Sequence, residues 1–395
     1  MSSTAGTTSK GARVTARRVF YIPGYDPIHP RRYRELYRKE GAAQAAISGY
    51  ELTLSARRGA GRYGWQVAGS MDGAATLADV DVLVWSDIVR RSMSHTIGAT
   101  YLQLVRTAWA YIASGALFRL MRLRKGPVIA ALYPVGFLLL QLAIALIVGH
   151  LAGTAIALLM GYVMPASGAP LAATAGALAY AVALIAVAWT ILRWFKRKDG
   201  KFYAYYLMHD YAYSARYRGA IPPALAARMV EFGEDIARAL DSDVDEVLVV
   251  GHSSGAHLAV SVLADLLRAG RVVPGGPALS FLSLGQVVPM VSFLPDAHRL
   301  RADLAYLSQS GALTWVDVTA PGDGCAFALC DPVSVSGVAA PGKRWPLVIS
   351  AAFTQTLSPA RWRELRWKFF RLHSSIFAPL TGPAIMITSA LRRVR

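Results

Sequence analysis

Two long apolar stretches restrict the folding of this chain more than any other feature of its sequence. From Val128 to Met164, 37 residues, there is no Asp, Glu, Lys or Arg and a single histidine, His150. From Leu171 to Leu192, 22 residues, there is no charged residue at all. A helix crosses the hydrocarbon core of a bilayer with about 20 apolar residues, so Leu171–Leu192 is expected to make one crossing. The first run is too long for one simple crossing and too short for two. A span is expected over 128–148, with Leu151–Met164 either prolonging that helix or lying at the interface. Pro165, Ser167, Gly168 and Pro170 are expected to form the turn between them.

The flanks of this hairpin are basic. Arg119, Arg122, Arg124 and Lys125 precede it; Arg193, Lys196, Arg197, Lys198 and Lys201 follow it, among Trp189, Trp194, Phe195, Tyr203, Tyr205 and Tyr206. The positive-inside rule places both flanks in the cytoplasm, which predicts an inner-membrane protein with two spans. The formal net charge of +18, with 54% hydrophobic residues and positive mean hydropathy, favours anionic lipid headgroups over nucleic acid as the acidic partner. Just upstream, Leu102, Val105, Trp109, Ile112, Leu117 and Leu120 recur at helical spacing among Arg106, Arg119 and Arg122. That pattern suits an interfacial helix on the membrane or a helix packed on the soluble part. Such an apolar chain excludes dominant disorder. Two cysteines five residues apart, Cys325 and Cys330, exclude a disulfide scaffold and a thiolate zinc cluster. Residues 1–17 lack the apolar core of a signal peptide and are expected to form a flexible arm.

Setting aside an insertion over 100–200 leaves 18–99 and 201–395, enough for one large α/β domain. Strand-like runs at Arg18–Ile22, Val80–Trp85, Glu246–Val250, Ala278–Leu284, Leu313–Val318 and Trp345–Ser350 are separated by helical stretches at Pro30–Ala46, Pro223–Leu240, Ala256–Leu267 and Asp296–Leu307. The alternation predicts a mainly parallel sheet. Building one sheet from both parts demands an even number of membrane crossings, in agreement with the basic flanks.

The stretch richest in chemistry is Asp245-Glu-Val-Leu-Val-Val-Gly251-His252-Ser253-Ser254-Gly255-Ala256-His257. An apolar strand enters Gly-x-Ser-x-Gly and leaves in a helix of small and apolar residues. A turn this sharp strains the serine backbone, lifts Ser253 Oγ over the helix N-terminus and leaves the Ser254 N–H free to bind an oxyanion. On these residues the chain resembles the α/β-hydrolase superfamily, and Gly-His-Ser-Ser-Gly is similar to the elbow of lipases, esterases and thioesterases. The resemblance covers the soluble parts and not the hairpin.

The resemblance implies an order of Ser, then acid, then His. The acid follows a late strand, and Leu313–Val318 runs into Ala320-Pro321-Gly322-Asp323-Gly324, so Asp323 is the expected acid. Asp317 is expected on the strand itself, Asp331 at a turn before Pro332, and Asp296 is the less usual alternative. Beyond Asp323 the sole histidine is His373, the expected base; His298 lies too early, and His252 and His257 are too close to the elbow. By resemblance the second oxyanion N–H belongs to Tyr25, after Pro23-Gly24 at the end of the first strand. The implied protein is a membrane-anchored serine hydrolase that cleaves a carboxylic ester of a lipid or other apolar acyl substrate. Acyl transfer or thioester cleavage would use the same triad, and a non-catalytic membrane scaffold would retain the fold alone. No metal or organic cofactor is implied.

Overall fold

The computed structural model describes residues 14–57, 61–71, 74–93, 96–163 and 169–375. The expected turn at 165–168 and most of the N-terminal arm, residues 1–13, lie outside the described residues. The chain divides into two compact units. One takes the residues up to Arg90, Phe118–Pro127 and those from Tyr217 onward; the other takes Arg91–Leu117 and Val128–Arg216.

The first unit is an α/β unit around an eight-stranded sheet: β1 (Ala16–Ile22), β2 (Glu51–Ala56), β3 (Gly64–Met71), β4 (Ala74–Val82), β5 (Glu246–His252), β6 (Ala278–Leu284), β7 (Leu313–Thr319) and β8 (Leu347–Ser350). Their order is β2-β3-β4-β1-β5-β6-β7-β8. From β4 to β8 every neighbouring pair is parallel, while β2 and β3 attach antiparallel at one edge. β5 is buried along its whole length, the condition that makes Val247–Val250 an unbroken apolar run. Successive residues of a strand point to opposite faces. Val19 and Tyr21 of β1 and Leu248 and Val250 of β5 join a cluster with Tyr37, Trp65, Phe353, Leu365 and Leu372. That face is covered by the helix Arg31–Ser48 and the short C-terminal helices. Helix Ser254–Arg268 packs on β5 beside Pro223–Leu240 and His298–Gln309.

The first strand begins two residues before its expected start, and this corrects the reading of the arm. Arg17 is 2% exposed, and its Nε donates to Glu246 Oε2 at 2.9 Å; Ser280 Oγ also donates to Glu246. The three side chains tie β1, β5 and β6 together. Asp245 Oδ2 accepts from Thr15 N–H and Ala16 N–H at 2.7 and 2.9 Å, fixing the entry to the strand.

The second unit is helical. The first apolar run forms one continuous helix, Lys125–Val163, with Pro134 inside it. Leu151–Val163 therefore prolongs the span, and at 1.5 Å per residue the helix is about 58 Å long. The return helix is Ala169–Arg197. Both are long and apolar enough to cross a membrane. They approach closely because a Cβ on Gly149 would lie 2.8 Å from Leu184 O, and one on Gly153 would lie 2.8 Å from Tyr180 Cδ2. His150 Nδ1 and Tyr180 Oη share a hydrogen bond of 2.8 Å between the helices.

Helix Ile97–Ala113 packs against Ala204–Arg216, where Leu104 joins Ala204, Tyr205 and Met208, and its Ile97 is buried against Ala145, Ala188 and Leu192. The apolar row of the sequence is the opposite one: Leu102, Val105, Trp109 and Ile112 are all exposed, Trp109 by 72%. Of the continuation, Leu120 alone of the named residues is fully buried.

Candidate functional site

The sheet changes direction of growth at its centre. β1 is followed by strands added on one side, then β5 is laid on its other side. In open α/β sheets such a switch leaves a crevice beyond the carboxyl ends of the two strands. Pro23–Tyr25 leaves β1 there, and Ser253 directly follows β5 at the same edge.

Ser253 has φ 55° and ψ −121°, the strained turn expected of an elbow. Its N–H donates to Leu284 O at 2.9 Å, anchoring the turn to the end of β6, and its C=O accepts from Ala256 N–H at 3.1 Å as the helix begins. The turn presses directly on β1. A Cβ on Gly255 would lie 2.1 Å from Ile22 O and 2.7 Å from Pro23 O, so only glycine fits. The Cβ position of Gly24 is 3.5 Å from Ser253 Oγ, which brings the Gly24–Tyr25 segment beside the hydroxyl. Trp85 Nε1 donates to Pro23 O at 2.9 Å, and its ring meets Tyr25 edge-on at 6.0 Å. Ser254 is buried at the first position of the helix, where backbone N–H groups and the helix dipole favour negative charge.

β7 ends at Thr319 and leads into the expected acid loop. Asp323 N–H donates to Ala320 O at 2.9 Å, and Asp323 Oδ1 accepts from Cys325 N–H at 2.9 Å. Asp323 Oδ2 lies 2.7 Å from His373 Nδ1. A carboxylate only accepts, so Nδ1 carries the proton and Nε2 of the neutral ring keeps its lone pair. Both residues are buried, Asp323 to 2% exposure and His373 to 8%. His373 sits on the helix Phe369–Ser375, held by Leu372 in the core cluster. Gly285, after β6, has φ +53°, and a Cβ there would lie 2.8 Å from His373 Cε1. The glycine leaves the room that the imidazole fills.

The other acids stand elsewhere. Asp317 is on β7, where Ser283 Oγ donates to it at 2.5 Å and burial pushes its carboxyl up to about 7. Asp331 caps the short helix Pro332–Val335 and pairs with Lys343. Asp296 pairs with Arg218 on the surface. His298 opens the helix His298–Gln309 beside Arg301, and His257 is on the elbow helix. Of the acids weighed in the sequence, Asp323 is the one hydrogen-bonded to His373.

Two neighbours of this pair were not assigned a role from sequence. His252 stacks on His373 with ring centroids 4.9 Å apart. Its Nε2 is 3.3 Å from the His373 carbonyl oxygen and its Nδ1 is 3.1 Å from Tyr21 Oη. The carbonyl can only accept, so Nε2 donates to it and Nδ1 accepts a hydrogen bond from the Tyr21 hydroxyl. Burial first, then the neighbouring His373, pushes His252 down to about 3, which keeps it neutral. Cys325 is the second neighbour. Asp323, Cys325 and His373 each offer a ligand atom within 4.8 Å of the others, the one such metal-competent group among the described residues. The signal for both lay in adjacency: His252 precedes the elbow serine, and Cys325 follows the acid by two residues.

No family model, no curated protein and no solved structure matches the chain.

Proposed function

We propose that this protein is a membrane-anchored serine hydrolase of α/β-hydrolase type, acting on a carboxylic ester through Ser253, His373 and Asp323. The observation that carries the reading is the left-handed φ of Ser253 at the end of β5, with the buried His373–Asp323 hydrogen bond on a neighbouring part of the same sheet edge. The order of elements supports it as well: elbow after β5, acid after β7, base after β8.

In this mechanism Ser253 Oγ attacks the acyl carbonyl while His373 Nε2 takes its proton. Asp323 holds Nδ1–H, which fixes the tautomer and stabilises the imidazolium. The N–H groups of Tyr25 and Ser254 receive the oxyanion. His373 returns the proton to the leaving alcohol, and water then cleaves the acyl-enzyme by the same steps in reverse. Location favours an apolar, membrane-partitioned acyl group. So does Phe369, 42% exposed, whose Cδ1 lies 3.1 Å from the Cβ position of Gly324 on the acid loop. The two apolar helices anchor the enzyme in an inner membrane with both flanks cytoplasmic.

A fluorophosphonate probe tests the reading. It should label the full-length protein at Ser253, and Ser253→Ala and His373→Ala should each lose both the label and hydrolysis of acyl esters, because triad members fail as a unit. Labelling that persists in Ser253→Ala would refute it.

A further inference from the structure

The loop that presents Asp323 brings a third ligand-bearing side chain to the His373–Asp323 pair. Cys325 is partly exposed and is not in a disulfide, and its backbone N–H is fixed on Asp323 Oδ1. We propose that Asp323, Cys325 and His373 form an inhibitory site for a thiophilic divalent cation such as Zn²⁺ or Cd²⁺; the inhibitory role rests on the hydrolase reading, the binding does not.

Imidazole, carboxylate and thiolate are the ordinary ligands of zinc, at about 2.0–2.3 Å, which puts the donors of a tetrahedral set about 3.5 Å apart. Donors within 4.8 Å of one another reach that spacing with a closure of about 1 Å. One carboxylate and one thiolate neutralise the ion, and water completes the coordination.

The consequence for the site follows from the tautomer. The His373 nitrogen that faces the carboxylate is Nδ1. To bind a metal it must surrender its proton and offer a lone pair, and a neutral ring then carries its proton on Nε2. In balance, the Cys325 thiol loses one proton to water, the Nδ1 proton is replaced by one on Nε2, and no electron is transferred. A ring protonated on Nε2 cannot accept the proton of Ser253 Oγ. The metal thus removes the base and separates it from Asp323 in one event, without touching the serine.

The test uses the full-length protein in detergent with Cd²⁺ alone. Binding is read by the thiolate-to-cadmium charge-transfer absorbance, and function by the rate of fluorophosphonate labelling with and without EDTA. The wild type and the control Cys330→Ser should show the absorbance and a labelling rate lowered at least about tenfold, restored by EDTA. Cys325→Ser should label at the wild-type rate without metal. It should lose the absorbance and need at least about tenfold more Cd²⁺ for the same inhibition, since even outer-shell losses weaken metal sites by about 10–100-fold. Absorbance retained in Cys325→Ser, or equal inhibition of that variant, overturns the proposal. Absence of any labelling in metal-free wild type refutes the hydrolase reading instead, while the absorbance still decides the site.

Discussion

Asp323 and Asp317 lie six residues apart, and their surroundings give two carboxyls opposite tasks. Asp323 accepts two hydrogen bonds, from Cys325 N–H and from His373 Nδ1–H, and in the proposed mechanism it must stay ionised. Asp323→Asn keeps the shape but turns an acceptor into an N–H donor, which favours the wrong tautomer of His373. Turnover should fall on the order of 10⁴-fold with little change in stability, and steady-state ester hydrolysis checks it. Asp317 has one partner, Ser283 Oγ, and burial raises its carboxyl to about 7. Between about 4 and 7 the unfolded chain has released that proton and the folded chain has kept it, so stability falls as pH rises through this window. The slope is about 1.4 kcal/mol per pH unit for one proton. Asp317→Asn has no proton to lose and keeps an oxygen for Ser283. The unfolding midpoint of the variant should therefore gain on the wild type steadily from pH 4 to 7 and no further above it. A gap independent of pH would show that Asp317 is ionised in the folded protein.

At the scale of elements, what could be read in the sequence follows burial. β6 matches its expected bounds of Ala278–Leu284, and β5 extends Glu246–Val250 by two residues, because strands covered on both faces are apolar runs closed by turn residues. The edge strand β2 and its antiparallel neighbour β3 have no counterpart among the expected strands. β2 alternates between half-exposed and exposed, as in Glu51–Ala56, whereas β3 buries Trp65 and Val67 on one face but is interrupted by small residues; β2 pairs with β3 and β3 with β4 through tertiary contact. The row Leu102, Val105, Trp109 and Ile112 shows the reverse failure. Its apolar period is genuine, yet that face is exposed within its unit, as a lipid-facing surface would be. Of the candidate site, the Asp323–His373 hydrogen bond was legible in residue order; Cys325, two residues past the acid, was marked by adjacency alone, and the stacking of His252 on His373 was not legible, because only folding sets one ring on the other. The elbow depends on its contact with β1 as much as on its own motif. Gly255→Ala would force a methyl against the carbonyls of Ile22 and Pro23, which are backbone and cannot turn aside. A destabilisation of about 1–3 kcal/mol is expected. The displaced Pro23–Tyr25 segment should also lower fluorophosphonate labelling at least about tenfold, as loss of an oxyanion donor does. An unfolding midpoint and labelling rate equal to wild type would show that the contact is slack.

At the scale of the whole chain, the sheet constrains the membrane topology. β1 comes before the apolar helices and β5 after them, yet they pair along Arg17–Ile22 and Glu246–Gly251. The two ends of the insertion must therefore emerge on the same side of any bilayer they enter, and two crossings satisfy this where one or three cannot. In the proposed reading that side is the cytoplasm, the side the positive-inside rule gives to the basic residues at both ends, Arg119–Lys125 and Arg193–Lys201. A cysteine replacing Ser167, in the connection between the helices, should then react with a membrane-impermeant maleimide added outside intact cells. Cys325 and Cys330, on the acid loop of the other unit, should be protected until the membrane is permeabilised. The protein should also resist extraction by carbonate and by high salt, because salt screens the attraction of a +18 chain for anionic lipid but leaves about 20 buried apolar residues per span untouched. Release by salt alone would mean that the hairpin lies outside the hydrocarbon. So would a silent Ser167→Cys in cells where a control site labels. Either result would remove the ground for a membrane-partitioned acyl substrate and leave the chemistry proposed for Ser253, His373 and Asp323 standing, since that proposal draws on the sheet edge alone.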